Sequence, residues 1–283
     1  MMDVKQVARG LVAVAFSLVA AGASGQAAPA PAQSPTQAPA TPEAQKPYEP
    51  TVAQPGKDVV WVPTPQATVD NMLALTKVTP QDYVIDLGSG NGITVITAAK
   101  KGATALGVEF NPDMVALAQR RAAEAKVSDR ATFVKADLFE TDFSKAQVIT
   151  MFLLPDINLR LRPKILELKP GTRIVSNTFT MAEWEADETG TAGGDCTTWC
   201  TALLWIVPAK VEGTWGTSAG DLTLKQEFQK LTGTLGSAAI SDAKMLGEDI
   251  AFTAGGKKYT GKVAGTTMTG TIVGGGSWKA TKK

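Results

Sequence analysis

Asp86, Glu109 and Asp137 are the carboxylates of this chain whose settings could do chemistry. Asp86 ends the apolar run Val84-Ile85 and opens Asp86-Leu87-Gly88-Ser89-Gly90-Asn91-Gly92. An acid at a strand end followed by alternating glycines lets the backbone turn sharply and lets a ligand approach the main chain. Gly88, Ser89 and Gly90 are therefore candidate ligand contacts. Glu109 follows about 20 residues later, at the end of a second apolar run, where an acid can accept from both ribose hydroxyls of a nucleoside. Asp137-Leu138 closes a third run, where a carboxylate can accept from an adenine amino group. Each acid alone has a plainer reading: a strand-to-helix turn, a solvated loop carboxylate, a turn-forming aspartate. Three acids at three successive strand ends, in phase with one glycine loop, point together to a nucleoside-bearing ligand. The spacing is G-x-G-x-G, with Ile93 where the dinucleotide fingerprint needs its last glycine, which disfavours a nicotinamide oxidoreductase.

These positions need a scaffold, and the pattern supplies one. Tyr83 to Leu87, Ala103 to Phe110, Ala131 to Lys135, Gln147 to Phe152, Thr172 to Asn177 and Thr201 to Val207 read as strands. Thr94 to Lys101, a stretch opened by Asn111-Pro112, and Ile157 to Leu168 (broken by Pro163) read as helices. Asn111 suits an N-cap and Pro112 the first helical position. Strands alternating with helices predict an α/β fold with a doubly wound, mostly parallel sheet. After Pro208, period-2 alternation replaces the helical signals, and Thr-Gly recurs at Thr232-Gly233, Thr260-Gly261 and Thr269-Gly270. A small antiparallel β domain, a meander or small barrel, is expected there.

Composition narrows the chemistry. The chain has 283 residues, 44% apolar, a formal net charge of +1 and no histidine. A Ser-His-Asp triad and an H-E-x-x-H zinc site are excluded. Two cysteines, Cys196 and Cys200, are too few for a four-thiolate zinc site. Residues 58–208 carry 18 acids and 14 bases, while 209–283 carry 6 and 10. The near-neutral total gives no large pull towards nucleic acid or membrane. Four segments follow: a signal peptide over 1–26, a Pro/Ala-rich disordered linker over 27–57, the α/β domain over 58–208 and the β domain over 209–283. The first has a basic start (Lys5, Arg9), an apolar run from Leu11 to Ala21 and small residues after it. That pattern predicts export to the periplasm or beyond, with no stable membrane span after cleavage. In an oxidising compartment Cys196 and Cys200 could pair across a short turn.

The span from about Trp61 to Trp184 resembles the class I methyltransferase family, whose fold is Rossmann-like. Asp86 to Gly92 looks like its first motif, Glu109 its ribose-binding acid and Asp137-Leu138 its adenine-contacting pair. Asn91 stands where many relatives carry Asp. The lead-in Trp61-Val62-Pro63-Thr64-Pro65, the run Asp137 to Asp142, Leu154-Pro155-Asp156-Ile157-Asn158 and Leu168 to Arg173 are closest to small bacterial and mitochondrial protein-lysine methyltransferases. The resemblance implies S-adenosyl-L-methionine as cofactor, Thr64 as part of its cover, a protein amine as acceptor, and no metal. It also places Leu154 to Asn158 opposite the reacting methyl, which makes Asp156 and Asn158 candidate substrate contacts. A second reading, that these two merely cap the following helix, stands beside it. An idle, cofactor-fold binding protein of the cell envelope is the alternative function. Export sits uneasily with a cofactor made in the cytoplasm.

Overall fold

The computed structural model describes residues 47–194 and 196–283, together with Ser17 and Gly22. The signal-peptide reading therefore lies outside the described residues, as does the linker up to residue 46. From the N-terminal side come α1 (Gln66–Leu75), β1 (Tyr83–Leu87), α2 (Ile93–Lys100), β2 (Thr104–Glu109), α3 (Pro112–Glu124), β3 (Ala131–Lys135), β4 (Val148–Met151), α4 (Pro155–Ile165), β5 (Arg173–Asn177), β6 (Glu188–Thr191) and β7 (Thr201–Ile206).

The seven strands form one sheet in the order β3-β2-β1-β4-β5-β7-β6. The first five are parallel; β7 runs antiparallel to β5, and β6, antiparallel to β7, returns to the direction of the first five. The central strands β1 and β4 are buried almost throughout, as expected where helices cover both faces of a parallel sheet. Two clusters fill those faces. One is centred on Ile85, Ile149, Ile174, Trp184 and Trp205, the other on Val69, Val84, Val95, Ala105 and Phe133. Chain reversal between β1 and β4 puts the glycine loop at the carboxyl edge beside a topological switch, where ligands bind in open α/β sheets.

α3 starts as its residues dictate: Asn111 Oδ1 accepts from the backbone N–H of Asp113 at 2.9 Å, and Pro112 takes the first turn. α4 departs from expectation. It begins at Pro155 and runs through Pro163 to Ile165. Pro163 sits in the last turn, where it shortens the helix and does not break it.

The second half closes into an eight-stranded antiparallel barrel: β8 (Gly213–Thr217), β9 (Gly220–Glu227), β10 (Lys230–Leu235), β11 (Ala238–Leu246), β12 (Asp249–Ala254), β13 (Lys257–Ala264), β14 (Thr267–Ile272) and β15 (Ser277–Lys282). Trp215, Leu222, Leu224, Met245, Ile250, Phe252 and Met268 fill its interior. The recurring Thr-Gly has a steric cause. A Cβ on Gly233 would lie 1.8 Å from Thr223 O, and one on Gly270 would lie 1.9 Å from Thr260 O. Only glycine permits neighbouring strands so close an approach. The Trp278 ring covers Gly261 and Gly270.

The expected linker end needs correction. Residues 47–57 are not free tether: they pack as a strap along α3 and the carboxyl edge. Arg120 Nη2 donates to Tyr48 O at 3.1 Å, Gln54 Nε2 to Tyr48 Oη at 2.6 Å, and Ala53 N to Trp61 O at 2.8 Å. Pro47–Lys283 forms one compact unit.

Candidate active site

Gly88, Gly90 and Gly92 all have positive φ, at 77°, 51° and 82°. Side chains rarely adopt this left-handed region, so the alternating glycines are a backbone requirement. The loop is tied to β2: Gly88 N and Ser89 N both donate to Val108 O, at 2.9 and 3.0 Å. A Cβ on Gly90 would meet the Trp61 indole Nε1 at 2.6 Å.

Glu109 ends β2 with each oxygen holding one backbone N–H. Oε2 accepts from Gly90 at 2.9 Å and Oε1 from Asn111 at 2.8 Å. This locks the carboxylate between glycine loop and α3 while each oxygen keeps acceptor capacity for a ligand. Asp137 accepts from Phe139 N at 2.9 Å through Oδ1, and Oδ2 pairs with Lys57 Nζ at 2.5 Å. The Lys57 hydrogen bond, then the Phe139 N–H, holds the Asp137 carboxyl below its ordinary value. Asp86 differs. It is buried, and Thr150 Oγ1 donates to its Oδ1 at 2.6 Å. Loss of solvent pushes its pKa up to about 7 against the opposing effect of that hydrogen bond.

One pocket unites these groups. Thr64, Asp86, Gly88, Ser89, Gly90, Glu109, Asp137 and Leu138 all line it. Trp61, Phe110, Met114 and Phe152 line it too, with Lys57 and its neighbours of the strap. Lys57 and Phe110 belong to no motif: one lies in the proline-rich stretch whose composition reads as disorder, the other follows Glu109 without a chemical signature of its own. Lys57 Nζ lies 5.3 Å from the Phe110 ring centre and 5.9 Å from that of Phe139.

The two candidate substrate contacts separate. Asp156 is exposed in the first turn of α4. Asn158 is fully buried, and its Nδ2 donates to the carbonyls of Phe179 and Thr180 at 3.3 and 3.1 Å. Neither lines the pocket. Asn158 therefore pins the loop after β5 from inside the fold. Helical periodicity explains this: Asn158 shares the inner face with Ile157 and Leu161, which a linear motif does not show.

The pocket fits S-adenosylmethionine. Ser89 Oγ is buried without a protein partner, Glu109 retains acceptor capacity at the ribose position, and the glycines open the main chain to close approach. Fold and site together define a class I, S-adenosylmethionine-dependent methyltransferase.

Comparison with known proteins agrees. Residues 86–188 match the ANTKMT methyltransferase domain model. A protein-lysine N-methyltransferase of Saccharolobus islandicus is 45% identical over 133 residues, 46% of this chain and 83% of that protein. The adenine nucleotide translocase lysine N-methyltransferase of Mus musculus is 33% identical over 129 residues, 45% of this chain and 56% of that protein. An RNA methyltransferase of Salinibacter ruber, solved with S-adenosyl-L-homocysteine, is 44% identical with a TM-score of 0.50, covering 53% of this chain and 96% of that one. The chain belongs to the ANTKMT-like family of class I methyltransferases. It spans little more than half the length of the mouse relative.

Proposed function

We propose that this enzyme methylates the ε-amine of a lysine in a protein substrate. The observation that carries the reading is the 45% identity to the archaeal protein-lysine N-methyltransferase, in a chain whose eight predicted cofactor contacts converge on one pocket.

The cofactor, when bound, supplies a methyl group already activated on a sulfonium. The chain's own work is alignment and exclusion of water. Glu109 and Asp137 would hold the nucleoside by its ribose and adenine, and Asp86 with Ser89, Gly88 and Gly90 would form the floor beneath the rest. Thr64 and Trp61 line the same pocket, with the Trp61 indole against Gly90, and would cover the cofactor. An incoming lysine must be neutral to attack. Asp156, exposed at the start of α4, is the proposed acidic group on the acceptor side. The test is transfer of labelled methyl groups to lysine-rich polypeptides, with Glu109→Ala beside wild type. Charge-assisted hydrogen bonds are worth roughly 1.5–3 kcal/mol each, so the variant should bind cofactor about 10- to 150-fold more weakly. Label found on RNA and absent from lysine would overturn the acceptor reading.

We also propose that the enzyme is exported. The Lys5 to Ala21 pattern motivates this, and the Cys196–Cys200 disulfide, Cα atoms 5.9 Å apart, supports an oxidising compartment. Among the described residues no helix is long and apolar enough to cross a membrane. A mature N-terminus near Gln26 is the expected result; a cytoplasmic chain starting at Met1 or Met2 would overturn export.

A further inference from the structure

Beside the cofactor pocket, three aromatic rings gather from three neighbouring strand ends. Phe152 lies just past β4, Phe179 just past β5, and Trp199 just before β7, strands adjacent in the sheet. Their ring centres are 5.4 Å (Phe152–Trp199), 5.6 Å (Phe179–Trp199) and 5.9 Å (Phe152–Phe179) apart. Phe152 also lines the cofactor pocket, so the aromatic surface continues from it. Trp199 remains 38% exposed.

The elements that hold this surface do so at a cost in backbone freedom. Trp199 has φ of 59°, a left-handed conformation that a bulky residue rarely adopts. It sits inside the Cys196–Cys200 bridge, and its carbonyl accepts from Thr68 Oγ1 of α1 at 2.9 Å. Thr68 Oγ1 also lies 3.5 Å from Cys196 Sγ. Phe179 is held by the Asn158 amide on its carbonyl and by its own N–H on Asn177 O at 2.7 Å. A disulfide, a buried threonine and a buried asparagine thus fix a partly exposed aromatic surface that adjoins the pocket through Phe152.

We infer that Phe152, Phe179 and Trp199 form the acceptor platform, which binds the alkylammonium end of the lysine side chain and its methylated products, with Trp199 positioned by the Cys196–Cys200 disulfide. Aromatic faces attract such cations, and the lysine alkyl stem packs on the same surface. The assignment rests on the lysine reading above. Acceptor binding, unlike cofactor binding, should then depend on the disulfide.

The probe is Nα-acetyl-Nε-trimethyllysine amide, titrated by calorimetry into the full chain saturated with S-adenosylhomocysteine. Its uncharged carbon isostere, a tert-butyl group in place of trimethylammonium, is the control. Wild type should bind the cation more tightly than the isostere by roughly threefold to thirtyfold. Trp199→Leu should erase that preference, Trp199→Phe should keep part of it, and S-adenosylhomocysteine affinity should stay unchanged in both. Treatment with a dithiol breaks the S–S bond, leaves one hydrogen on each cysteine sulfur and oxidises the dithiol to its own disulfide. It should weaken probe binding as the Cys196→Ser/Cys200→Ser chain does. No cation preference in wild type, or full preference in Trp199→Leu, would overturn the platform. If labelled methyl reaches no lysine while the probe still shows Trp199-dependent binding, the lysine reading fails and the cation site stands.

Discussion

At the scale of single residues, Asp86 combines burial with ionisation. Its native pKa is raised from 3.8 to about 7, chiefly because burial removes solvent from the charged form. Between those values the native state keeps a proton that the unfolded chain has lost. Stability from this group is therefore greatest at acid pH, falls as pH rises from about 4 to about 7, and is level above. At about 1.4 kcal/mol per unit, the swing is on the order of 4 kcal/mol. Asp86→Asn should flatten this slope and stabilise the cofactor-free protein near pH 8, while weakening cofactor binding. Denaturant midpoints from pH 5 to 8 measure it. Identical profiles for variant and wild type would show that Asp86 does not titrate there.

At the scale of elements, the strap over residues 47–57, continued to Val60, is the feature that distinguishes this pocket from a bare sheet edge. Lys57 reaches from it to the acid at the end of β3, and the hydrogen bond to Asp137 holds the Lys57 ammonium above its ordinary value. Tyr48 and Glu49 tie its other end to Arg120 and Arg121 of α3. The strap adds little to the sheet core, since its side chains are mostly exposed. A chain starting at Trp61 should keep its fold by circular dichroism yet lose about tenfold or more in S-adenosylhomocysteine affinity, roughly 1.4 kcal/mol. Unchanged affinity would reduce the strap to a passive lead-in.

The whole molecule joins two cores across one seam. Phe228, at the end of β9, stacks on Trp184 with ring centres 5.9 Å apart, and Gln229 Nε2 donates to Glu185 O at 2.8 Å. Lys230–Glu185 and Lys210–Glu167 add exposed ion pairs of small worth. Each core otherwise has its own apolar cluster. Truncation after Ala209 should leave a domain that binds cofactor but melts a few degrees lower, because one face of Trp184 loses its cover. Phe228→Ala in the full chain should reproduce much of that loss, at least about 1 kcal/mol. A truncated chain that does not fold would show that the barrel is part of one indivisible core.

Much of this was legible in the linear chain, for a local reason. Parallel strands buried on both faces appear as apolar runs, and a glycine loop needs glycine wherever φ is positive, so β1, the loop, Glu109 and Asp137 could be placed without coordinates. Asn111 capped α3 by rules that act within four residues. An antiparallel β domain after residue 208 was also visible, but not that it closes into a barrel of eight strands. β6 is short and exposed at an edge, and β11 is interrupted by a register shift between Ser241 and Lys244, with Asp242 at φ 50°. Such strands lose their alternation. What only the tertiary structure decided were relations between distant segments: Lys57 against Asp137, Trp61 against Gly90, Asn158 turned inward, and Phe152, Phe179 and Trp199 brought to one edge. Proline-rich composition cannot show that its last residues find a surface to pack on, because that surface is made by α3 and the glycine loop, more than 30 positions further along the chain.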